Sequence, residues 1–190
     1  MGIEIKKWLY SFIIAGLFIV AAEPVSFAED ARECGTKSWP DVKAGDRAPG
    51  FSLKNISGKE VSLEDFKDKI VVLNYFATWS LPGIEPALVK IRSAYSIYKE
   101  VVFISIAAET GKGKEEALSY INKYKIDWEV LFDYNNSDYN HSFHSLYKLN
   151  SIPTNFIINK EGKISFIWLS FEKDYGEDIL KKEINKVLEE

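Results

Sequence analysis

Apolar residues crowd two short runs of the chain, Ile70 to Phe76 and Val101 to Ile106, almost without a break. Runs this short and continuous suit strands covered on both faces. Phe51-Ser52-Leu53 and Val61-Ser62-Leu63 instead alternate around Asn55-Ile56-Ser57-Gly58, the pattern of a hairpin. Between and after the two apolar runs the spacing turns helical. Leu88, Ile91, Tyr95 and Tyr98 mark one helix, and Ala117, Leu118, Ile121 and Tyr124 a second. Val130-Leu131-Phe132 reads as a short strand, and Phe143, Leu146 and Tyr147 as a short helix. Thr154 to Ile158 and Ile164 to Leu169 are strands joined by Asn159-Lys160-Glu161-Gly162, where glycine can supply a positive φ. Ile179, Leu180, Ile184, Val187 and Leu188 form the apolar stripe of a closing helix. Strand, helix, strand, helix, then hairpin and helix make an α/β domain with a mixed central sheet flanked by helices.

The first residues follow a different logic. Lys6 and Lys7 precede the uncharged stretch from Trp8 to Ala22, and Ser26-Phe27-Ala28 offers small residues at the positions a signal peptidase reads. Residues 1–28 are therefore expected to be a secretory signal. The alternative is an uncleaved anchor over residues 8–22, but 15 uncharged residues fall short of the roughly 20 that a membrane span needs. Either way the location is extracytoplasmic, periplasmic or secreted, and the membrane is met only through this segment. Residues 29–44 form a polar arm without apolar periodicity, and residues 45–190 one domain.

Composition narrows the function. A net charge of −4 and 28 acidic against 24 basic residues argue against nucleic acid as a partner. One cysteine, Cys34, lies in the arm; it excludes an internal disulfide framework and any cysteine-built zinc or iron–sulfur site. It leaves open a Cys34-linked dimer.

Gly45 to Leu53, Gly58 to Leu63, and Val71 through Phe76-Ala77-Thr78-Trp79 together resemble the opening of the exported thioredoxin-like redoxins of the ResA/TlpA type. Leu131-Phe132-Asp133, Leu146-Tyr147, Ile152-Pro153-Thr154 and Gly162-Lys163-Ile164 are similar to that family's second half. The resemblance implies a thioredoxin-like fold with an N-terminal hairpin. It further implies a strand–helix insertion over residues 126–148 and a cis-proline at Pro153, beside the active site. A strand-start proline is the plainer alternative.

Where the family carries Cys-x-x-Cys after its tryptophan, this chain reads Trp79-Ser80-Leu81-Pro82-Gly83. Counted without gaps, Ser80 and Gly83 stand at the two cysteine positions. If Glu85-Pro86-Ala87-Leu88 is instead the family's acidic residue and Pro-Ala-Leu, two residues are missing from the first helical turn. Neither alignment supplies a sulfur, and dithiol exchange passes through a mixed disulfide. Ser80 reads as a helix cap ahead of Pro82 rather than a nucleophile, since no base stands near it in sequence.

Other candidates are bland by sequence. His141 and His144 sit at helical spacing without an evident third ligand, so a solvated helix face is expected and no metal or other cofactor is assigned. Glu109 follows the second apolar run and reads as a loop carboxylate, although in active relatives a carboxylate there would tune a thiol. Trp128, Phe132, Phe166 and Trp168 alternate along strands and read as core. The expected function is a non-catalytic module that has lost its dithiol and holds an exported polypeptide or a redox-pathway protein. Its binding surface would be Trp79, Ile152 and Pro153, where an extended segment can pair strand-like. The alternative is an oxidoreductase working through Cys34, a metal or a partner's thiols.

Overall fold

A computed structural model describes residues 42–79, 85–109, 113–133, 142–149, 151–169 and 176–190. Seven strands form one sheet: β1 (Ser52–Asn55), β2 (Glu60–Ser62), β3 (Ile70–Phe76), β4 (Val101–Ala107), β5 (Glu129–Phe132), β6 (Thr154–Ile158) and β7 (Ile164–Leu169), in the spatial order β2-β1-β5-β4-β3-β6-β7. Strands β3, β4 and β5 run parallel, while β6 pairs antiparallel with β3 and β7 with β6. The described helices are α1 (Glu85–Ala94), α2 (Gly113–Tyr124), α3 (Phe143–Leu146) and α4 (Gly176–Leu188).

Every residue of β3 and of β6 is buried, as a strand needs when both sheet faces are covered. Alternation sorts the side chains of β3. Val71, Leu73 and Tyr75 join Phe143, Tyr147 and Phe156 on one face, and Ile70 and Val72 meet Leu88, Ile91, Leu180 and Ile184 from α1 and α4 on the other. A polar ladder crosses the second face. Trp128 Nε1 donates to Ser105 Oγ at 2.8 Å, and Asn74 Nδ2 to Asn155 Oδ1 at 2.9 Å across the β3–β6 register. Slipping β6 by one residue would break that bond and turn Asn155 into the opposite core.

Local chemistry explains the turns. Asn55 Oδ1 accepts the N–H groups of Ser57 and Lys59, and Gly58 takes φ +84°, closing the β1–β2 hairpin. Gly162 takes φ +75° between β6 and β7 while Asn159 Oδ1 accepts Lys163 N–H at 2.8 Å.

Three expectations need correction. Leu63 does not extend the hairpin: it opens a 3-10 turn over Leu63–Phe66, where Asp65 Oδ2 accepts Ser62 N–H at 2.8 Å. Tyr98 does not continue the helical stripe: it lies past the end of α1 and is exposed. Tyr95, one residue past that end, keeps its N–H on Ile91 O at 3.0 Å, packs with Leu88 and Ile91, and donates its hydroxyl to Asn185 Oδ1 at 2.6 Å on α4. Trp128 precedes β5 rather than lying in a strand.

Candidate functional site

Parallel strands leave their carboxyl ends at one edge of a sheet, and in open α/β sheets ligands bind just outside those ends. Here Thr78-Trp79 follow β3, Ala108-Glu109 follow β4 and Asp133 follows β5. Ile152-Pro153 enter β6, whose antiparallel course starts at that same edge, with register pair Tyr75↔Thr154. The Ile152–Pro153 peptide is cis. A cleft of about 350 Å³ opens among Tyr75, Trp79, Ala108, Glu109, Asp133, His144 and Ile152.

Two carboxylates form part of its wall. Glu109 is only 2% exposed, and its Oε1 accepts Thr78 N–H at 2.7 Å. Its side chain lies against the first turn of α2, where a Cβ on Gly113 would stand 2.6 Å from Glu109 Cβ. The glycine is what lets strand end and helix start approach so closely. Asp133 is 3% exposed and accepts from Tyr75 Oη at 3.3 Å, Phe143 N–H at 3.2 Å and His144 N–H at 3.1 Å. Those last two bonds satisfy the opening amides of α3, whose N-cap Ser142 accepts Ser145 N–H.

The apolar side of the cleft is aromatic. Tyr75 stacks on Phe143 at 5.3 Å and lies 6.4 Å from the His144 ring. Phe143 stacks in turn on Tyr147 at 4.1 Å. Tyr147 donates its hydroxyl to Pro49 O at 2.8 Å, and burial pushes that hydroxyl well above the ordinary tyrosine pKa. Trp79 stands 70% exposed. It is shared with a shallower cleft lined by Thr78, Glu116, Ser119, Tyr120 and Lys123 of the α2 side.

The structure therefore brings Trp79 and Ile152 to one cleft, with Pro153 half-buried next to it. Ser80, Gly83, Cys34 and His141 lie outside the described residues. Glu109 lies in the loop after β4, as read from the sequence, and is buried there, bonded to the backbone beside Trp79. One expectation is overturned. His144 does not sit on a solvated helix face; it is half-buried and lines the cleft. Asp133 and Tyr75 were missed as site residues altogether. Their signal was positional: a lone carboxylate directly after an apolar strand, and a hydroxyl near the end of another. Among the described residues no three His, Cys, Asp or Glu side chains are grouped to hold a metal. None of the described helices is long and apolar enough to cross a membrane.

A mixed sheet with this strand order, a cleft at the ends of three parallel strands and a cis-proline entering the next strand define a thioredoxin-like domain. Comparison with known proteins agrees: the solved structure described as a thiol:disulfide interchange protein DsbE from Chlorobium tepidum superposes with a TM-score of 0.67 at 23% identity, covering 78% of this chain and 99% of that one. The chain belongs to the AhpC/TSA family, whose model matches residues 44–167. It is similar to the thioredoxin-like protein YneN of Bacillus subtilis, 29% identical over 167 residues that span 86% of this chain and 89% of the relative. It is also similar to the thiol-disulfide oxidoreductase ResA of Bacillus subtilis, 27% identical over 160 residues and 84% of each chain.

Proposed function

We propose that this chain is an exported redoxin-fold protein that holds extended polypeptide in the cleft and runs no dithiol exchange, serving as an accessory module of extracytoplasmic thiol maturation. Exchange needs two sulfurs in turn, and the one cysteine, Cys34, stands ahead of the family-matched residues 44–167. After Trp79 the chain reads Ser80-Leu81-Pro82-Gly83, which supplies no thiol under either alignment. Export is supported by the lysine pair, the apolar stretch and the small-residue site within residues 6–28. The observation that carries the reading is that the cleft survives without the thiols. Trp79 stays 70% exposed beside it, and Ile152 before the cis peptide forms part of its wall. An exposed tryptophan flanking a strand entry suits an extended segment, which adds main-chain bonds to aromatic contact.

The test is titration calorimetry of the full chain with an unstructured model peptide, beside Trp79→Ala. A contact residue of this kind contributes about 2 kcal/mol, or roughly 30-fold in affinity. Loss of that order with an unchanged melting temperature supports the reading. Equal affinity in the variant, or no binding by wild type, overturns it.

A further inference from the structure

The cleft's charge is lopsided. Among the described residues, Glu109 and Asp133 both reach its wall and no lysine or arginine does. In sequence, the one lysine or arginine within three positions of any wall residue is Lys112, and His141 and His144 are the histidines there. The groups bonded to the two carboxylates are neutral: Thr78 N–H on Glu109, and two backbone amides and the Tyr75 hydroxyl on Asp133. Neutral donors hold a carboxylate in place but do not cancel its charge, and at 2% and 3% exposure water does so poorly. The remaining described wall is His144 together with the apolar and aromatic surfaces of Trp79, Tyr75, Ala108 and Ile152. Those surfaces can cover a hydrocarbon stem, and the open face of Trp79 can receive a cation. At about 350 Å³ the space is at the small end of ligand sites and admits one long side chain rather than a folded surface.

We infer that the cleft takes the side chain of a lysine or arginine from the bound polypeptide, an inference that rests on the polypeptide-binding reading above. An acidic side chain would meet like charge, and a neutral one would leave the two carboxylates uncompensated.

The experiment is fluorescence anisotropy of the full chain with a labelled valine/serine peptide whose central residue is lysine, arginine, norleucine or glutamate. The basic peptides should bind about tenfold tighter than norleucine, the size of one added charge contact, with glutamate weakest. Glu109→Gln keeps an acceptor for Thr78 N–H and removes the charge, so the preference should fall to about threefold or less. Glu64→Gln, the same charge change on the distant 3-10 turn, should leave it intact. If the peptides bind equally well, the basic-residue inference is wrong and polypeptide binding stands. If none binds, both are wrong. A preference that Glu109→Gln leaves untouched removes Glu109 from the recognition and overturns the two-carboxylate inference. The wild-type series decides the main point even if the variant fails to fold.

Discussion

Gly113→Ala probes how the cleft is held. The new Cβ would stand 2.6 Å from Glu109 Cβ, 2.8 Å from Oε2 and 3.2 Å from Cγ. A clash with a far side-chain end could be relieved by a rotamer change. A clash with a Cβ cannot, because the backbone fixes that atom, so either the end of β4 or the start of α2 must move. Overpacking of this kind costs about 1–3 kcal/mol. Opposing it, alanine is better than glycine in a helix by at most about 1 kcal/mol, and less at the first position. The clash wins, with a net loss of about 1–2 kcal/mol. For a chain of 190 residues that is a fall in melting temperature of about 2–8 °C. Displacing Glu109 also stretches its 2.7 Å bond to Thr78 N–H, which sets the backbone beside Trp79, so peptide affinity should fall with stability. Urea denaturation and calorimetry of the variant measure both. Because the nearest atom is Cβ, Glu109→Ala in the same chain should not restore stability. Wild-type stability in Gly113→Ala, or rescue by Glu109→Ala, would refute the reasoning.

Asp133→Ala should cost about 2 kcal/mol or more in urea melts, since it removes the acceptor of one buried and one partly buried amide at the start of α3; Asp133→Asn, which keeps one acceptor, should cost less. Tyr147→Phe should cost about 1 kcal/mol at neutral pH through its lost bond to Pro49 O. Burial raises the folded-state pKa of Tyr147, so its contribution is full below the ordinary tyrosine value of about 10 and is lost as pH rises above it. The variant should accordingly flatten the alkaline limb of a stability–pH curve, and an unchanged limb would count against the burial argument.

The fold was legible where one residue's environment is set by its own strand. Ile70 to Phe76 announce a doubly covered strand because nearly every residue is apolar, and Gly162 announces its turn because it can take a positive φ. The reading failed where a neighbour's tertiary contact decides. Tyr95 reads only as part of an apolar helical stripe, yet its hydroxyl also donates to Asn185, 90 residues away, and no local pattern encodes that bond. The cleft divides the same way. Trp79 and Ile152 were recoverable from motif position. The burial of Glu109, Asp133 and His144 was missed because each looks polar and exposed in sequence. Their burial depends on three strand ends and α3 meeting at one edge. The rule that could have found two of them is geometric: a carboxylate immediately after a parallel strand faces the ligand edge.

The most direct test of the central claim measures binding and exchange together, on wild type and Cys34→Ser, with a disulfide-bonded substrate protein and its reduced, extended form. Both proteins should bind the extended form with equal affinity, and neither should turn over disulfide above a thiol-free control. Turnover by wild type that disappears in Cys34→Ser would assign exchange to the arm cysteine and contradict the account.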